Sequence, residues 1–346
     1  MTIRSAFRPG HRKSALIDEA DEINQGNRIL ILAACSAGFS TVSAGHAAPI
    51  VYGQLNLSLD NIDNGTDSAL NVSSNASWLG VKCDIQADGG ISGIYQIESE
   101  VNVDTGSTSA NNTALASRNS FVGLQGHLGT LRLGRFDTPV KSIGRKVCLF
   151  KNQVGDARNL TRGSDSAARF DERPNNSIAY YSPTLSGFKA LLQYATNTGS
   201  GAAANNDDNL ISAAVNYAQG AVFTGLGYEK HGYVSTATPP VAGSDPSALR
   251  LAGYIDLAGW RISALWQTIA GTVSSKNEDV YGIGVRYAGK VWTFKTQAYQ
   301  LESNSADKNA MLLAVGSEYT LHKNIILYAD YATINNDAQQ TLTPYK

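Results

Sequence analysis

From Val51 onward the chain alternates apolar and polar residues with period two, in one short segment after another. Val51, Gly53, Leu55, Leu57 and Leu59 alternate with Tyr52, Gln54, Asn56, Ser58 and Asp60. One apolar and one polar face over about ten residues is the repeat of a strand lying between lipid and water. The longest purely apolar run, residues 29–35, is far shorter than the ~20 residues a membrane helix needs. If this chain crosses a membrane, it does so with strands.

The alternation recurs in pairs. Trp78–Gln86 sets Leu79, Val81, Cys83 and Ile85 against Lys82, Asp84 and Gln86. After the turn Ala87-Asp88-Gly89-Gly90, segment 91–103 sets Gly93, Tyr95, Ile97 and Val101 against Ser92, Gln96, Glu98, Glu100 and Asn102. Six more hairpins are predicted, from 118–126 with 131–136, 177–181 with 188–196, 210–217 with 221–230, 249–257 with 260–267, 280–287 with 291–301, and 309–319 with 325–332. Short turns separate the two strands of each pair. Longer polar loops lie between pairs, at 61–73, 104–117, 137–176, 197–209, 231–247, 268–279 and 302–308. That asymmetry describes an outer-membrane barrel with its loops outside, and a soluble sandwich has no reason to keep it.

With the first strand, 50–59, the hairpins give about fifteen strands. Fifteen antiparallel strands cannot close first on last, so a sixteenth is required. Residues 335–346 are polar without alternation, so the final strand is expected to be missing, either by truncation or because another segment replaces it. The fold class expected is all-β, a transmembrane antiparallel β-barrel.

Composition agrees. Only 16% of residues are charged, 33 are Gly, and Tyr (16) outnumbers Phe (9), which suits a wall of strands with aromatic girdles. Tyr52, Tyr95, Tyr194, Tyr217, Tyr287, Tyr319, Tyr328, Trp260 and Trp266 are candidates for such girdles, although β-sheets favour aromatic residues anyway. A net charge of −1 gives no argument for nucleic acid. The three cysteines, Cys35, Cys83 and Cys148, make neither a metal spacing nor a disulfide framework. The five histidines, His11, His46, His127, His231 and His322, form no legible nucleophile–base arrangement, so no enzymatic activity and no cofactor are expected.

At the N-terminus, Arg28, the apolar centre 29–32 and the small residues after it fit a secretory signal over 28–47, cleaved after Ala47. Residues 1–27 precede it and include Asp18, Glu19, Asp21 and Glu22, unlike a leader, which suggests a start site set too far upstream. Leu32-Ala33-Ala34-Cys35 also resembles a lipoprotein cleavage box, with Cys35 as the acylated residue.

Segment 137–176 breaks the pattern. Forty residues with no sustained period inside a compact domain are uncommon and usually functional or disordered. The segment holds eight basic residues (Lys141, Arg145, Lys146, Lys151, Arg158, Arg162, Arg169, Arg173) and five acidic ones (Asp137, Asp156, Asp165, Asp171, Glu172), a net +3 in a chain of −1. It is expected to fold into the bore and narrow it, and a basic excess at a constriction favours anions. Pairing among these charges is the competing expectation for any one of them. On the wall, inward parity selects Lys82, Gln96, Glu98, Glu100 and Arg132. Arg135 shares parity with the lipid-facing Leu131 and Leu133, and a bulge at Gly134 would turn it inward.

The stretch from about 50 to 334 resembles the general diffusion porins of Gram-negative bacteria, the sixteen-stranded trimeric type of Neisseria, Bordetella and Burkholderia relatives. Tyr52-Gly53 and Ser77-Trp78-Leu79-Gly80-Val81-Lys82 carry the likeness, with Gly89-Gly90 and Tyr95-Gln96-Ile97-Glu98-Ser99. So do Arg118-Asn119-Ser120-Phe121-Val122-Gly123-Leu124 and Gly129-Thr130-Leu131-Arg132-Leu133-Gly134-Arg135. Arg173, Asn176-Ser177-Ile178, Tyr181-Ser182-Pro183 and Ser186-Gly187-Phe188 complete it. The resemblance implies a water-filled barrel of the outer membrane, narrowed by its third external loop, which here is 137–176. Over 48–346 it implies a homotrimeric pore for small hydrophilic solutes and ions, in contact with outer-membrane lipid and lipopolysaccharide.

The residues expected to line the pore are Lys82, Glu98, Glu100, Arg118, Arg132, Arg135, Lys141, Arg145, Asp156, Arg158, Arg162, Asp165 and Arg173. A ligand-specific channel, or an adhesin or non-conducting barrel lacking its last strand, is the alternative.

Overall fold

In a computed structural model the chain is described over residues 2–6, 48–63, 68–107, 115–163, 169–196, 209–232, 245–306 and 308–336. Its described residues divide into two compact units, one drawn from 1–127 with 318–328, the other from 128–317 with 329–336.

The first unit begins with β1 (Thr2–Ala6), β2 (Ile50–Asp63), β3 (Ser68–Ser74), β4 (Trp78–Gln86), β5 (Ser92–Glu100) and β6 (Ser120–Gly126). β2 pairs with β4 through its first half, Ile50 opposite Lys82, and with β3 through its second half, Leu57 opposite Ser74. β3 and β4 therefore act as one interrupted strand. The expected loop 61–73 is largely strand, because residues 57–63 and 68–74 continue as a two-stranded ribbon past the end of the wall. β5 pairs with β4 and β6. Segment Thr2–Ala6 pairs antiparallel with Gly53 and its neighbours on β2, and with Ile325 and Ile326 at the start of β17 (Ile325–Asn336). It stands beside the first and the last of the expected strands.

The second unit holds the strands β7 (Gly129–Arg135), β8 (Ser177–Tyr181), β9 (Phe188–Ala195), β10 (Leu210–Gln219), β11 (Val222–His231), β12 (Ser247–Leu257), β13 (Trp260–Ala270), β14 (Glu278–Ala288) and β15 (Trp292–Ser303), with most of β16 (Ala310–His322). From β7 to β15 each strand pairs antiparallel with the next, in register. All fifteen strands expected between 50 and 334 are present. Several run further than alternation indicated, β13 to Ala270 and β14 from Glu278, so loop 268–279 shrinks at both ends. Backbone pairing continues there after the side-chain pattern has faded.

Two rows of aromatic side chains mark the outer face of this unit. Phe188, Trp260 and Tyr287 lie near the short turns, and Tyr194, Trp266 and Tyr281 lie six residues along the same strands, all exposed. Six residues of strand span ~20 Å, close to the ~25 Å apolar band of an outer-membrane wall. Between the rows the outward residues are aliphatic, among them Val215, Leu226, Leu251, Ile262 and Ile283. Two girdle candidates of the first unit do not belong to such rows. Tyr52 is buried and donates to Glu98 at 2.8 Å, and Tyr328 donates to Asn56 at 3.0 Å. Both lie on the polar face, as their parity with Gln54 and Asp330 requires.

Candidate pore constriction

The long segment after β7 is ordered where it is described, and it contains helix. α1 (Pro139–Val147) starts at Thr138, whose hydroxyl caps the Lys141 N–H at 3.2 Å, with Pro139 at the first helical position. A single turn, α2 (Arg158–Thr161), follows. The expectation of no period was wrong here. Val140, Ile143 and Val147 are spaced on one helical face and are fully buried. Phe150, Leu160 and Phe170 are also fully buried, giving the loop an apolar interior that packs on the wall, Phe170 against Ala248 and Ile269.

Small residues on the wall make room for that interior. A Cβ at Gly227 would lie 2.9 Å from the Ile143 side chain and 3.1 Å from that of Val140. One at Gly316 would lie 2.8 Å from the Phe150 ring. Wall amides then bind the loop backbone: Gln297 accepts from the Leu149 N–H at 2.9 Å and donates to the Gly155 carbonyl at 2.6 Å. Lys295 reaches Gln153 at 2.6 Å and Asp330 at 3.6 Å, with its ammonium 4.4 Å from the centre of the Phe150 ring.

Every described acid of the loop is engaged by a base. Asp137 takes Lys141 at 2.7 Å and Arg173 at 2.8 Å. Asp156, fully buried, takes Arg145 at 3.1 Å and the N–H groups of Asn152 and Arg158 at 2.7 and 2.9 Å. Glu172 is bound by Arg162, and Arg158 donates to the Asp171 carbonyl at 3.0 Å. Asp171 is held by Arg250 of β12, at 2.5 Å. Burial alone would raise the Asp171 carboxyl, but Arg250, Arg158 and Thr161 bring it below its usual value. Burial drives Lys141 down to about 7, with Arg173 and Arg158 adding to the effect and Asp137 opposing it.

Of the residues expected to line a pore, Arg132, Arg135, Lys141, Arg145, Asp156, Arg158, Arg162 and Arg173 thus fall in the second unit, on or beside this loop. Arg132 lies 4.5 Å over the Tyr181 ring. Gly134 takes a φ of 150°, and the Arg135 guanidinium binds the Asn175 side chain. Lys82, Glu98, Glu100 and Arg118 belong to the polar face of the first unit, where Lys82 covers the Tyr52 ring at 4.7 Å and Arg118 lies 3.6 Å from Glu100. Asp165 lies outside the described residues. Sequence reading missed Arg250, Lys295, Gln297 and Asp330. The signal was there: Arg250 stands between Leu249 and Leu251, the same parity argument that selected Lys82. Cys83 and Cys148 are buried and in no disulfide, and burial pushes Cys148 up to about 11.

A wall of paired strands with apolar outward and polar inward faces, and a charged loop docked on the polar face, defines a β-barrel channel protein of the outer membrane. The sequence profile of the Gram-negative porin family matches residues 31–339, and the chain belongs to that family. It is similar to outer membrane porin protein 32 of Delftia acidovorans, 26% identical over 277 residues, which is 77% of this chain and 76% of the relative. It also matches the major outer membrane protein P.IB of Neisseria gonorrhoeae, 31% identical over 125 residues, 36% of this chain and only 34% of that protein's length. Among solved structures, the anion-selective porin from Comamonas acidovorans superposes with a TM-score of 0.72 at 23% identity, over 84% of this chain and 90% of the other. That likeness shows the fold, a porin β-barrel, and the family places the chain in the outer membrane.

Proposed function

We propose that this chain is a passive diffusion pore for small hydrophilic solutes and ions, narrowed by loop 137–176 and mildly selective for anions. One observation carries the reading. The loop is docked on the polar face of the wall, and each of its described acids is committed to a base, while the segment as a whole carries eight bases to five acids. Paired carboxylates project little field, so the basic excess dominates where low-dielectric walls narrow the water. The anion selectivity of the Comamonas porin supports the sign.

On this reading the pore-lining charges are Lys82, Glu98, Glu100, Arg118, Arg132 and Arg135 with those of the loop. The assembly is a homotrimer in contact with lipid and lipopolysaccharide. In support, the outward face of the first unit is mainly aliphatic, with Val51, Leu59, Leu79, Ile97, Val122 and Leu124 exposed, a surface suited to a second copy. Residues 28–47 act as the secretory signal, so the mature chain begins near Ala48. The intact mass of protein extracted from outer membranes checks this, and a chain that retains residues 2–6 would refute it.

The function is tested by reconstitution into planar bilayers under a salt gradient. Stepwise conductance with an anion-selective reversal potential is expected. Steps with cation selectivity would overturn the sign, and folded protein without steps would overturn the pore.

A further inference from the structure

We infer that Arg250 is the positioning residue that pins the constriction loop to the wall and, through its pairing with Asp171, sets the loop's contribution to selectivity. The inference deepens the proposed pore function and rests on it for its electrical readouts.

Arg250 is fully buried on β12. Its guanidinium has five N–H groups in a fixed fork, and five contacts account for them. Nε donates to Gln267 at 2.6 Å. Nη1 donates to the Val140 carbonyl at 2.9 Å and to Asp171 Oδ1 at 2.5 Å. Nη2 donates to Asp171 Oδ2 at 3.0 Å and to the Thr161 carbonyl at 3.3 Å. One wall side chain therefore holds the start of α1, the end of α2 and the returning limb, three places that are far apart in the loop sequence. Gln267, its neighbour directly across β13, repeats the grip by donating to the same Thr161 carbonyl at 2.9 Å.

Two further observations show that the loop is shaped around this side chain. Gly144 lies where a Cβ would come within 2.4 Å of Nη1. Asp171 itself is held at a φ of 60°, in the left-handed region that non-glycine residues enter at a cost. The bidentate fork and the Thr161 hydroxyl fix its carboxylate there. With every donor used and its charge matched by Asp171, Arg250 has nothing left to offer a passing solute. It acts through the loop.

The pairing gives the inference an electrical signature that a merely structural contact lacks. Arg250→Gln takes the paired counter-charge from the Asp171 carboxylate and leaves it only the field of Arg158. Asp171→Asn leaves the guanidinium without its own. Arg250→Gln should lower the anion-to-cation permeability ratio by about twofold or more and raise open-channel noise, since unpinned limbs fluctuate. Arg250→Gln combined with Asp171→Asn should restore the ratio while the noise persists. Arg250→Lys keeps the charge without the fork, so it should be noisy at nearly native selectivity.

Hydrogen exchange of residues 139–161 in the detergent-folded protein reads the pin without conduction: exchange should rise there by about tenfold in Arg250→Lys and leave β10 to β15 protected. If wild type does not conduct, the pore reading fails and the exchange result still judges the pin. Native exchange in the loop of Arg250→Lys would overturn the inference. So would an Arg250→Gln channel with lower thermal stability but native selectivity and noise. Should Arg250→Gln fail to fold, the double variant and Arg250→Lys carry the test.

Discussion

Lys141 and Asp137, four residues apart across the start of α1, form an ion pair of 2.7 Å, and the lysine is buried. Burial drives Lys141 down to about 7, whereas in an unfolded chain a lysine keeps its proton to about pH 10.4. Between these values the unfolded state binds more protons, so the folded loop gains stability as pH rises from about 7 towards 10. Below 7 both states are protonated and the penalty is constant. Hydrogen exchange of α1 should therefore be slower at pH 9 than at pH 6.5, after correction for intrinsic rates. Lys141→Met should flatten the difference.

Gly227 lets Val140 and Ile143 touch the wall. Gly227→Val places carbon where those side chains already sit, at under 3 Å from Ile143 for the Cβ alone. We expect a loss of about 1–3 kcal/mol, the usual cost of overpacking, together with a larger unitary conductance as the loop is pushed off its seat. Denaturant midpoints and single-channel recordings measure the two. An unchanged conductance would mean the loop does not narrow the pore.

Lys295 and Asp330 are a buried pair at 3.6 Å beneath the loop. Removing one partner takes a buried counter-charge from the other and costs up to about 3–5 kcal/mol, whereas replacing both is often close to neutral. Lys295→Met should lower the temperature at which the folded band is lost in gels, and Lys295→Met with Asp330→Asn should recover most of it. Equal losses in the single and double variants would argue against coupling.

Trp260, Trp266 and Trp292 are exposed on the outer face, while Trp78 packs edge-on against the buried Tyr52 at 5.0 Å. Brominated lipids should quench the fluorescence of wild type strongly. A variant with Phe at 260, 266 and 292, which leaves Trp78 alone, should be nearly insensitive to them.

How much was legible in advance follows from range. Strand existence is a local property, since lipid on one side and water on the other impose period two on each segment, and Val51 to Asp60 display it unaided. The charged break at 137–176 was equally visible, as was the difficulty posed by Arg135. α1 was not, because three buried apolar residues among charges make a weak helical signal until the wall supplies Gly225 and Gly227 for Ile143 to pack on. Tyr52 and Tyr328 look like girdle residues by type and prove inward by parity.

The sequence by itself determined the family, the alternating wall and the site of the break, because each is written in neighbouring residues or in their order. Only the tertiary structure decided which charges pair. Arg250 and Asp171 are 79 positions apart, and no periodicity links a strand residue to the far limb of a loop. Their meeting depends on how α1 seats against β9 to β13 and α2 against β15, a packing outcome that sequence spacing does not encode. The same holds for the charge of the break. Its net +3 can be counted from the sequence, but the commitment of its described acids to particular bases is a matter of distance and burial.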